Sequence, residues 1–175
     1  MAEMSILFPL LLLMLVSIAA AVDLHRRVIP NWNVVATTLL GAVALIASDP
    51  SAFWMHLAIA LAVLASGIAV WGLGWLGGGD VKLIAALALW AGPDQVAGLL
   101  LTIALSGGAL ALLVMMRARI VQMPLFVVAQ AQAARLAPAA LRLPAWPSAN
   151  AARSLPYGVA VACGGAWLAY HLAFA

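Results

Sequence analysis

Residues 74–83 read GWLGGGDVKL. Consecutive glycines ahead of a carboxylate, Asp80, break a chain that is 67% hydrophobic and only 7% charged. Glycine is a poor helix former, and a carboxylate is costly in hydrocarbon. The stretch therefore marks an interruption between membrane-crossing segments, and the fold is read outward from it.

A mean hydropathy of +1.17 leaves too little polar surface to coat a water-soluble globule. Crossing a hydrocarbon core takes about 20 apolar residues. Candidate runs are 5–22, 32–47, 53–75, 81–91, 96–116 and 157–174. The expected fold is all-α: a polytopic bundle of about six transmembrane helices, forming a single integral membrane domain over 1–175 with no internal repeat. Glu3 is the only charge before the first run, which is too long for a secretory signal; the run is expected to stay in the chain with its N-terminus outside.

Charge placement fits that topology, because cytoplasmic loops accumulate Lys and Arg. The 8 basic residues, Arg26, Arg27, Lys82, Arg117, Arg119, Arg135, Arg142 and Arg153, all fall on the expected cytoplasmic side. Glu3, Asp49 and Asp94 fall on the other. This sorting accounts for the net charge of +3, and no nucleic-acid partner is expected. Trp32, Trp54, Trp75 and Trp90 lie near span ends, as interfacial anchors do. Residues 117–156 form a cytoplasmic loop in which the apolar run between Pro124 and Pro138 is too short to span. An interfacial helix against membrane lipid is expected there.

The remaining acids are Asp23, closing the first run, and Asp80, opening the fourth. Counting spans brings both to the same membrane face. Each alone has a plain structural reading: Asp80 as an N-cap, Asp23 as a helix-end residue paired with Arg26 or Arg27. Together they suit acid–base chemistry, since two nearby carboxylates share one proton. The ionised member takes a proton from water while the protonated member polarises a carbonyl, with no cofactor or metal. Which acts as acid and which as base stays open, because the titrations are shared. Gly77, Gly78 and Gly79 would let a peptide backbone approach closely and let the chain turn into the next helix. The short run 81–91 would set Asp80 below the membrane surface, in a wet cavity. A proton- or ion-coupled transporter using the same aspartates is a second reading, and a non-catalytic assembly factor a third.

GGGDVKL resembles the GxGD signature of the type IV prepilin leader peptidases. DLHRRVIPN, from Asp23, looks like the motif ending the first span in their shorter members, and LPYGVAVACGG, from Leu155, is similar to their last-span motif. The resemblance implies a bacterial inner-membrane aspartic endopeptidase that removes a short basic leader from prepilin or pseudopilin precursors at the cytoplasmic face. It implies Asp23 and Asp80 as the catalytic pair and Gly77, Gly78 and Gly79 as the active-site loop. Arg27, Asn31, Lys82, Pro156, Tyr157 and Gly158 match motif positions as supporting residues. The short form is most similar to the tight-adherence (Flp-type) pilus branch. Longer members carry a cysteine zinc region and methylate the new N-terminus. Cys163 alone can build neither a disulfide nor a zinc site, so a peptidase without methyltransferase activity is expected.

Other patterns fall away. Gly72, Gly74 and Gly77 follow a membrane run and not a strand, so they make no dinucleotide site. Gly74 and Gly78 fit helix packing only. Ser106 has no histidine expected at its depth, no His-Glu-x-x-His occurs, and His25 reads as an interfacial residue beside Asp23.

Overall fold

The computed structural model describes residues 2–121 and 157–174. The chain divides into two compact units, Met1–Gly107 with Pro156–Ala175, and Gly108–Leu155. The first holds the helices α1 (Ala2–Arg26), α2 (Asn31–Ser48) and α3 (Phe53–Gly72), most of α4 (Gly78–Val121), and α5 (Tyr157–Phe174). In the second unit the described residues are the C-terminal end of α4, whose Leu112, Leu113, Met115 and Met116 are exposed. The expected interfacial helix within 117–156, and Pro156, lie outside the described residues.

Among the described residues the protein is all-helical, with 5 helices long and apolar enough to cross a membrane. The expected spans 81–91 and 96–116 are joined in one 44-residue element interrupted at Gly92 (φ 57°, ψ −164°), just before Pro93. Proline offers no N–H and clashes with the preceding turn, so the helix axis breaks there while helical bonding resumes after it. The first arm of α4 begins at Gly78, where the sequence placed its start at Val81.

That first arm is the centre of the fold. Val81 and every residue from Leu83 to Ala91 are buried, and only Lys82 is exposed. A helix that is apolar on all sides packs protein all round. Leu83, Leu87, Trp90 and Ala91 meet Leu12, Val16 and Ala19 of α1 and Val161 and Leu168 of α5 in one cluster. By contrast, α3 buries only Ala60, and its Trp54, Met55, Leu61 and Ile68 are exposed apolar surface that suits lipid.

Without a hydrophobic driving force in lipid, helices associate through close packing and polar ties. The Asn33 amide donates to the Leu15 carbonyl of α1 (3.0 Å), and Trp90 Nε1 donates to the Thr37 carbonyl of α2 (2.9 Å). Gly41 makes room for that indole, since a Cβ there would lie 2.6 Å from Trp90 Nε1. On α5, Gly165 admits Val16 of α1, while Gly164 admits Ile103 of α4. The single Ser106 hydroxyl proton has its shortest acceptor in the Thr102 carbonyl of its own helix (2.7 Å), and the Ala160 carbonyl of α5 lies within reach at 3.2 Å as an alternative acceptor between α4 and α5.

The break at Pro93 orphans the Leu89 carbonyl, whose helical donor would have been the N–H of residue 93. His56 of α3 supplies the replacement, with Nδ1 2.8 Å from the Leu89 oxygen. A carbonyl only accepts, so Nδ1 carries the proton. Gly92 is required twice, by its positive φ and because a Cβ would run into the His56 ring. The link between α2 and α3 is an Asx turn in which Asp49 accepts from the Ser51 hydroxyl and from the Ser51 and Ala52 amides, holding its carboxyl below the usual carboxylate range. His56→Phe keeps the ring volume and removes the donor to Leu89. It is expected to destabilise the folded protein by about 1–2 kcal/mol, read as a lowered melting temperature in detergent.

Candidate active site

Asp23 lies in the last turn of α1, and its carboxylate is buried, with the residue 6% exposed. The helix ends beyond it in a left-handed residue. Arg27 takes φ 54°, and its amide donates to the Asp23 carbonyl at 2.8 Å, a five-to-one closure that satisfies an orphan carbonyl. A non-glycine residue in that conformation costs about 1–2 kcal/mol. The closure turns the chain back so that Ile29 is buried and α2 starts at Asn31.

Asp80 lies in the first turn of α4, half-buried, and its carboxylate accepts from the Gly77 amide just ahead of the helix. This is the reach-back geometry of a third-position acid in a capping box, so Asp80 caps from inside the helix and is not itself the N-cap. The first main-chain bond of the arm runs from the Val81 amide to the Gly77 carbonyl at 3.1 Å.

The two carboxylates come close enough for the charge of Asp23 to act on Asp80. α5 completes the group. The Gly158 amide donates to Asp23 Oδ2 at 2.9 Å, and the charge of Asp80 acts on the Tyr157 hydroxyl. Each aspartate is thus held by a glycine amide at the N-terminal end of a helix, where unpaired N–H groups favour an anion.

The glycines at these positions are sites of close approach. A Cβ at Gly158 would lie 2.8 Å from Asp23 Oδ2, and one at Gly77 would lie 2.7 Å from Asp80 Oδ2. At Gly79 a Cβ would meet Ile29 Cβ at 3.1 Å and the Ile29 carbonyl oxygen at 3.6 Å, so the glycine loop packs on the backbone of the 23–31 segment. Gly78 faces Trp71 at ordinary distance. Gly107 leaves space for the Tyr157 ring, whose hydroxyl would be 3.1 Å from a Cβ there.

The structure therefore brings together Asp23, Asp80, Gly77, Gly79, Tyr157 and Gly158. Asn31 and Arg27 are exposed at the segment joining α1 to α2. Lys82 stands roughly 200° around the helix from Asp80 and lines a cleft facing α2 and α3. Ile29 and Gly107 have supporting positions that the sequence reading did not single out; the glycine at 107 was visible, but its partner was not. Among the described residues no group of three or more His, Cys, Asp or Glu lies together to hold a metal.

Two helix-borne acids within charge range of each other, each beside a main-chain glycine amide, are a group suited to activating one water. That arrangement and the membrane bundle around it define a polytopic membrane protein with a two-carboxylate centre. The chain belongs to the type IV leader peptidase family, whose model matches residues 10–114, and it is accordingly a multi-pass membrane peptidase. No curated protein and no solved structure matches it.

Gly158→Ala forces a methyl group into the Asp23 carboxylate. It is expected to cost about 1–3 kcal/mol of stability through overpacking, measured by thermal unfolding, whereas Gly108→Ala, which meets nothing within 4 Å, is expected to be neutral.

Proposed function

We propose that this protein is an aspartic endopeptidase that removes the short basic leader of type IV prepilin or pseudopilin precursors, with Asp23 and Asp80 as the catalytic pair. The observation that carries the proposal is the pairing itself: carboxylates from α1 and α4 within charge range of each other, each fixed by a backbone amide. Membership of the leader peptidase family supplies the reaction class.

In the proposed reaction a water molecule lies between the two acids. One carboxylate takes its proton as hydroxide character develops, and the protonated partner donates to the oxygen of the scissile carbonyl. The tetrahedral intermediate collapses when the proton held by the first acid passes to the leaving amine. The second acid recovers its own proton from the intermediate's hydroxyl. No covalent enzyme intermediate is formed. Gly77 and Gly158 keep both carboxylates in reacting geometry, which lowers the reorganisation needed at the transition state.

The sorting of Lys and Arg supports an outward N-terminus and a location of the pair near the cytoplasmic face of the bacterial inner membrane. A precursor whose basic leader stays in the cytoplasm and whose apolar helix enters the bilayer would present the intervening bond at that depth. The short form supports assignment to tight-adherence (Flp-type) pilus assembly.

Co-expression with such a precursor, read by the mass of the mature product, tests the proposal. Asp23→Asn and Asp80→Asn are each expected to slow leader removal by about 10²–10⁴-fold while the protein still inserts at normal levels. Cleavage at the wild-type rate in either variant would refute the two-acid mechanism.

A further inference from the structure

The first arm of α4 has a second face. Lys82, Ala85, Ala86 and Leu89 recur at helical spacing and line a cleft of about 220 Å³ whose other walls are α2 and α3. Ala60, Ala85 and Ala86 leave it unfilled, and Leu61 and Leu64 stand along its α3 side. The polar group of Thr38 is already spent on the Val34 carbonyl at 2.9 Å. Lys82 is therefore the single charged group in an apolar wall. Among the described residues no hydrogen bond or ion pair engages it, so a fixed positive charge awaits an anion from outside the chain. An ionisable residue at a membrane span is a functional site by default, with its partner to be named.

The cleft and Asp80 lie on opposite sides of the same arm, because residues 80 and 82 differ by roughly 200° around the helix. A peptide seated in the cleft would thus have the arm between it and the carboxylate pair. The occupant the chemistry fits is amphiphilic, with an anionic head near the helix end and a thin apolar tail running deeper, along Ala85 and Ala86 towards Leu89. We propose that the cleft is a binding site for one anionic phospholipid, its phosphate paired with Lys82 and an acyl chain lying between α2 and α3. The lipid wedges α3, which otherwise buries little more than Ala60, against the arm that carries Asp80. This inference is independent of the peptidase mechanism.

The test is native mass spectrometry of the full chain released from nanodiscs holding equal amounts of phosphatidylglycerol and phosphatidylcholine. The wild type is expected to retain one phosphatidylglycerol in preference to phosphatidylcholine by about tenfold, the size of one charge-assisted contact. Lys82→Gln is expected to abolish the preference and Lys82→Arg to keep it. Ala86→Phe fills the cleft and is expected to release the bound lipid; if that variant fails to fold, the Lys82 pair alone decides. An undiminished preference in Lys82→Gln, or no preference in the wild type, overturns the proposal. So does a photo-crosslinker at Leu64 that captures a protein helix in place of lipid.

Discussion

The architecture depends on keeping two carboxyl groups, which repel whenever both are ionised, together at the edge of an apolar interior. Two unit charges about 4 Å apart repel by roughly 4 kcal/mol where the effective dielectric constant is near 20. Such a pair persists only if the fold supplies favourable partners and leaves the side chains no route of escape. Main-chain donors serve this end better than side chains here, because a glycine amide brings a hydrogen bond without bulk. The Asp23 Cβ and carboxylate occupy the volume that any side chain at residue 158 would need. Substituting the glycine would therefore disturb the acid even though the donor N–H remained.

The same economy of volume runs through the bundle. α5 presents Gly158 and Gly165 to α1 and Gly164 to Ile103 of α4, so one helix wedges between two others with little side-chain bulk at the contacts. Polar groups link the helices: Asn33 to α1, Trp90 to α2, Ser106 within reach of α5 and His56 to the broken turn at Leu89. In lipid these ties give the helices a register that hydrophobicity cannot, because every face of a helix is equally at ease among acyl chains.

The membrane class, the approximate span positions and the pairing of Asp23 with Asp80 were legible in the sequence, since they follow from run lengths, charge sorting and short motifs. The helix start at Gly78 was less legible, because a glycine triplet reads as a loop until Asp80 is seen to cap the Gly77 amide. The joining of the fourth and fifth runs into one interrupted helix was hidden for a similar reason. Pro93 signals a break, but the group that satisfies the orphaned Leu89 carbonyl, His56, comes from another helix. The contact of Gly79 with Ile29 joins segments remote in sequence, and no periodicity encodes it. In a chain that is apolar almost everywhere, the hydrophobic pattern distinguishes faces poorly, so tertiary partners stay silent until the helices are placed.

The hydrogen bond from Gly158 to Asp23 spans 135 residues and belongs to the final described helix. A ribosome emits α1 well before α5. During synthesis the first acid therefore waits without its amide, and the short arm bearing the second lacks part of the protein wall that encloses it. The immediate surroundings of Asp23 are thus completed only when α5 has joined α1, and a polypeptide ending before Gly158 lacks this hydrogen bond.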